Sequence, residues 1–139
     1  MNIVEKMLEV EAGNFQNVGT EKMEIKRLSE VIGEPFIVEY RMVPGRRYQE
    51  ILRIAQDKSG SIRSDKTYDA NLVLLTAGIV SPDLKNEALQ KHFGVSTPKD
   101  LAEKLFIGGE VTKISNAIAK VSGFNVGDDE DNVDEEIKN

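Results

Sequence analysis

The residues able to do chemistry in this chain are few, and their spacing argues against most of the chemistry they could do. His92 is the only histidine and there are no cysteines. One chain therefore cannot assemble a catalytic triad with a second imidazole, a two-histidine metal site, a thiolate centre or a disulfide. His92 precedes Phe93 and Gly94 where a helix should stop, a place where an imidazole more often faces the carbonyl end of the helix than acts as a base. Lys58-Ser59 has the ending of a phosphate loop, but the glycines such a loop needs fall at Leu52 and Asp57. Gly108-Gly109 lacks the spacing of a dinucleotide fingerprint and follows a helix, where a strand is required. A calcium loop started at Asp128 places Glu130 and Asn132 well, then fails: Val133 falls where a sharp turn is needed and Asn139 where a bidentate glutamate belongs. Asp83 and Glu110 could be paired acids, yet each sits where a helix N-terminus favours negative charge. The reading is no catalytic residue, no metal site and no cofactor, and the partner-binding residues are not identified.

The distribution of charge narrows the partners. The chain of 139 residues has a formal net charge of −6, but seven of its 24 acids and one of its 18 bases fall in the last twelve residues. The remainder is balanced and offers no basic footprint for a phosphate backbone. Arg46-Arg47 and Lys26-Arg27 are basic pairs of the kind usually found on solvated faces. Residues 127–139 are too polar to bury anything, and we read them as a disordered acidic tail behind a single domain of residues 1–126. Solubility is the plain role for such a tail; docking on a basic surface is the other. No basic and apolar leader opens the chain, and no apolar run approaches the ~20 residues that span a bilayer. A cytoplasmic protein with no membrane or nucleic-acid partner is expected.

The elements follow from periodicity and punctuation. In residues 3–11, Ile3, Val4, Met7 and Leu8 share one helical face, and Gly13, Asn14, Asn17 and Gly19 break it. Met23 and Ile25 alternate with charged residues; Phe36, Val38, Tyr40 and Met42 alternate with Ile37, Glu39 and Arg41. An antiparallel pair joined at Gly33-Glu34-Pro35 is the economical reading, with residues 27–32 able to wind into a helical turn first. A lone pair is marginal in water, so helices or another chain must complete it. A helix opens at Pro44 and turns Tyr48, Ile51, Leu52 and Ala55 inward. After a polar loop at residues 58–66, a helix beginning near Lys66 turns Tyr68, Leu72, Leu75, Thr76, Ile79 and Val80 inward, and its nearly continuous apolar run predicts central burial.

Short capped helices then follow one another. Ser81 or Asp83 is placed to cap the next helix start, with Pro82 shaping the turn. That helix stops at Phe93-Gly94. Thr97 and Asp100 make a T-x-x-D variant of the capping box with Pro98 in the first helical position. The last helix begins near Gly109-Glu110, buries Val111, Ile114, Ile118 and Val121, and ends at Gly123, a left-handed cap that lets Phe124 fold back. The fold class is α+β and helix-rich: a small N-terminal antiparallel sheet, written as a hairpin, packed on a C-terminal array of short helices. Helix-turn-helix DNA reading is a weak alternative, because residues 98–106 set Lys99 and Lys104 against Asp100 and Glu103, and the last helix offers only Lys113 and Lys120.

Residues 24–36, Ser81-Pro82-Asp83-Leu84, Thr97-Pro98-Lys99-Asp100-Leu101, Leu105-Phe106 with Gly109-Glu110, and Val121-Ser122-Gly123-Phe124 occur in an order and spacing that carry a family resemblance. The chain resembles the XkdN-like phage tail assembly chaperones, found in tailed phages and in defective prophages of Gram-positive bacteria. It departs from them at Gly108-Gly109-Glu110, where Pro-Gly-Glu is common. The resemblance implies a non-enzymatic assembly factor in the bacterial host cytoplasm. It would coat the tape measure protein before the tail tube polymerises, and it would be absent from the finished particle. The resemblance also implies possible dealings with the tail tube protein and with a frameshifted longer chaperone product. Self-association is compatible with it, and it supplies no catalytic residues to carry over. Met7, Met23 and Met42 are adaptable enough for a promiscuous groove, although core filling is the commoner use of methionine. A structural tail component and a DNA-binding regulator are the alternatives.

Overall fold

A computed structural model describes residues 2–124; the calcium-loop reading and the proposed acidic tail lie outside them. The chain begins with helix α1 (Ile3–Leu8), which Asn2 caps through a reciprocal box: the Glu5 amide donates to Asn2 Oδ1 at 2.9 Å and the Asn2 amide to Glu5 Oε2 at 3.3 Å. A 3-10 turn at Ala12–Gln16 follows, then strand β1 (Thr20–Glu24), helix α2 (Lys26–Ile32) and strand β2 (Ile37–Arg41).

β1 and β2 are antiparallel, as the alternation predicts, and their register sets Met23 opposite Val38. Their connection differs from the expected turn. Residues 26–32 take the helical option, because Ile25 and Leu28, three apart, both reach the core on that path. Gly33 then ends α2 in the left-handed region at φ 81°. The sheet is also larger than a hairpin. Strand β3 (Ile79–Ser81) adds to the free edge of β2, giving the order β1-β2-β3. The apolar periodicity predicts Ile79 and Val80 as inward residues of the preceding helix, and they are instead strand. Ile79 and Val80 are β-branched, Ser81 directly before Pro82 is kept off helical backbone, and the open β2 edge rewards extension with ladder hydrogen bonds.

Helix α3 (Gly45–Leu52) starts after Pro44, which is the N-cap and not the first helical residue, and turns Tyr48 and Ile51 inward; Leu52 is partly exposed. A second 3-10 turn, Arg53–Ala55, leads to helix α4 (Ser64–Gly78). α4 is central: it packs on α3 and on the two last helices, α6 (Pro98–Leu105) and α7 (Gly108–Val121). Leu72, Leu74 and Leu75 are all buried, so the continuous apolar run does mark a helix covered on several sides. Gly78 permits this packing, since a Cβ there would lie 2.7 Å from Ile118 Cγ2.

Helix α5 (Glu87–His92) is capped by Asn86, whose Oδ1 accepts the Leu89 amide at 2.8 Å; the expected caps Ser81 and Asp83 lie outside it. Asp83 is held in its own turn by the Lys85 amide at 3.0 Å. The last two helices follow the sequence closely. Thr97 Oγ1 accepts the Asp100 amide at 3.1 Å with Pro98 in the first turn. On α7, Val111, Ile114 and Ile118 are fully buried, joined by Ser115, whose hydroxyl donates to the Thr112 carbonyl at 3.1 Å. Gly123 has φ 95° and Phe124 turns back onto the core, its amide donating to the Ala119 carbonyl at 2.9 Å. The protein is thus α+β and helix-rich, with one core shared by the inner sheet face and the helices.

Candidate partner-binding surfaces

The residues that first suggest chemistry are placed where they hold the fold. Glu110 accepts two hydrogen bonds from Arg27, at 2.9 and 2.8 Å, while Arg27 also donates to the Leu105 carbonyl at 3.0 Å. Glu110 further accepts the Ile107 amide at 3.0 Å, capping α7. The Arg27 hydrogen bond is the main force holding the Glu110 carboxyl below the usual range, with the Ile107 amide assisting against the opposing effect of burial. Arg27 is therefore a tie between α2 and the α6–α7 corner, which corrects its reading as part of a solvated basic pair. The signal missed in sequence was the spacing itself: 83 residues separate the partners. Arg47 does keep to the surface, 3.4 Å from Glu50.

Lys58-Ser59 belongs to a turn organised by Asp57, whose Oδ1 accepts from the Ser59 hydroxyl at 2.6 Å and from the Ser59 and Ser61 amides at 2.8 and 3.1 Å. The Ser59 hydroxyl is the first reason the Asp57 pKa is lowered. His92 ends α5 with its ring edge-on to Phe93. Gly108 and Gly109 form the first turn of α7. Lys99 of the considered recognition helix pairs with Asp69 at 3.2 Å. Among the described residues, no group of three or more acids, histidines or cysteines could hold a metal ion, and every buried side-chain nitrogen or oxygen has a partner. Among the same residues, no helix is long and apolar enough to cross a membrane.

What the fold leaves uncovered is apolar surface at the N-terminus. α1 contributes no buried residue; Ile3 is 71% exposed and Leu8 80%, with Val4 and Met7 beside them. Val10, Phe15 and Val18 continue the exposure along the following segment. Glu5, Lys6 and Glu9 occupy the other side of the helix by its 100° rotation per residue. Scattered exposed apolar residues are ordinary; seven within sixteen residues of sequence, four of them on one face of α1, make this segment the candidate interaction surface. Met23 and Met42, by contrast, are partly covered in the body.

A second feature is a cleft of about 330 Å³ where four elements meet. Val43, Pro44, Ala77, Ile79, Leu84 and Pro98 supply its apolar lining, and Arg47, Asp83 and Lys85 its charged groups. The chain terminus of α7 is tied beside it: the Val43 amide donates to Ser122 Oγ at 2.8 Å.

Comparison with known proteins places these surfaces in context. The family model described as phage XkdN-like tail assembly chaperone protein matches residues 4–138. A solved structure of the protein YqbN aligns with a TM-score of 0.54 at 18% identity, covering 77% of this chain and 88% of that one. At that identity the likeness is one of fold. No curated protein matches the chain in sequence.

Proposed function

The chain belongs to the phage XkdN-like tail assembly chaperone family, and we propose that the protein it assists is the tape measure protein, held and shielded until the tail tube closes around it. The family match over residues 4–138 carries this reading. The apolar N-terminal arm supports it, because shielding a helix-prone partner in water needs apolar surface that the chaperone's own core has not used.

The mechanism is reversible cover. A tape measure segment lays its apolar stripe against Ile3, Val4, Met7 and Leu8, and each protein removes the other's apolar surface from water. Binding of this kind makes and breaks no covalent bond. Its affinity must be moderate, since tube subunits have to displace the chaperone, and a single short helix offers limited contact area against the cost of association. Met7 adds tolerance, because an unbranched thioether adapts to varied partner side chains.

Co-expression with the tape measure protein tests the proposal. The expected result is a soluble complex recovered by pull-down and a tape measure protein that precipitates when produced alone. No complex and no gain in solubility would refute it. Retention of the chain in purified particles would instead favour a structural tail component.

A further inference from the structure

We infer that the cleft between α3, α4, β3 and α6 is a docking site for the chain's own acidic C-terminal segment, residues 125–139. Three observations converge. The first is position. Phe124 stacks on Tyr48 of α3 with ring centroids 3.9 Å apart, and Ser122 is bonded to Val43 of the cleft wall. The segment therefore departs from the cleft's own edge. An extended chain covers roughly 3.3 Å per residue, so Val133 can reach roughly 30 Å from Phe124, more than enough to cross the cleft.

The second observation is charge. The segment carries seven acids and one base. At the cleft and beside it stand Arg46, Arg47 and Lys85, all exposed. Of the acids near them, Glu50 lies 3.4 Å from Arg47, and Asp83, which accepts the Lys85 backbone amide at 3.0 Å, keeps its charge, so three cations face two acids there. The Arg47–Glu50 pair is half-exposed on both sides and worth little, so a denser acidic segment can exchange into it.

The third is apolar matching. Val126, Val133 and Ile137 are the segment's only large apolar residues. The cleft offers an apolar floor of Ala77, Ile79 and Leu84 on which Val133 and Ile137 can sit while their acidic neighbours meet the cations. Tethering makes this contact intramolecular, with an effective concentration of about the millimolar range, so even weak docking keeps the cleft occupied. This inference is independent of which protein the apolar arm recognises.

The test uses the full chain. With no native cysteine, Asn132→Cys gives one site for a nitroxide label, and amide signals report what the label approaches. At low salt the amides of Arg47, Ala77 and Lys85 should lose most of their intensity, while those of the Arg27–Glu110 corner, about 12 Å away at the far end of α6, lose less. In about 1 M salt, where the screening length falls to about 3 Å, the lost intensity should return. Arg47→Glu with Lys85→Glu, two exposed positions, should abolish the effect, and Val133→Ser with Ile137→Ser should weaken it. Absent or uniform broadening, or broadening indifferent to both pairs of substitutions, would overturn the inference. So would full broadening of an isotope-labelled chain mixed with spin-labelled chain, which would place the segment on a second copy.

Discussion

Phe124 lies nearly parallel to Tyr48, with ring centroids 3.9 Å apart and the planes 10° from each other. The stack is made possible one residue earlier, where Gly123 reverses the chain at φ 95°. It joins the last residue of the body to α3 and thereby locks α7 against the β2–α3 connection. Burial raises the Tyr48 pKa.

This stack should be measurable. Phe124→Ala removes about 1–3 kcal/mol, combining a half-buried ring with its aromatic contact. Gly123→Ala costs about 1 kcal/mol through its positive φ alone, and Gly123→Asn less, because asparagine tolerates that conformation. Urea unfolding of the three variants should rank them in that order.

Glu110 predicts an acid response with a definite sign. Its pKa is lowered in the folded state, so its stabilisation is complete above the ordinary carboxylate value of about 4.3. It is lost as pH falls through the lower folded value. Glu110→Gln should cost about 1 kcal/mol at neutral pH, a figure reduced for the solvent that reaches the Arg27 side of the pair. The gap between wild type and variant should close as pH falls below the ordinary carboxylate range. Denaturation midpoints measured across that range check the window. Arg27→Lys should not substitute, because an ammonium cannot reproduce two parallel bonds to Glu110 and a third to Leu105.

Gly78→Ala should destabilise by about 1–3 kcal/mol. The added methyl would meet the fully buried Ile118 at 2.7 Å, so that side chain must shift within the core. Ile118→Val in the same chain should recover part of the loss. A double-mutant cycle by thermal unfolding measures the coupling.

The apolar arm separates binding from stability. Ile3→Glu with Leu8→Glu alters two highly exposed side chains, so stability should change by no more than about 0.5 kcal/mol. Recovery of the tape measure protein in co-expression should fall sharply. Equal recovery with the charged arm would remove α1 from the binding surface.

The sequence was most legible where structure is local. Thr97-Pro98 opens α6, Gly123 closes α7, and the spacing of Val111, Ile114 and Ile118 names a buried face. Each involves residues within one or two turns, and the physical cause lies in neighbouring atoms. Asn86 shows the limit of that reading: several short polar residues stood in a row, and the Pro82–Asp83 turn decided which of them began α5.

Tertiary structure alone decided the rest. Ile79 and Val80 suit a helix or a strand, and the open edge of β2 selected the strand. Arg27 reads as a solvated base until folding brings Glu110 to it across 83 residues. The apolar face of α1 is plain in the sequence, but whether the body covers it is not, and here it stays in solvent. The same holds for the cleft beside Val43, which exists only once four elements meet. Periodicity states which side chains favour leaving water; which of them have a neighbour to leave it with depends on contacts between distant segments.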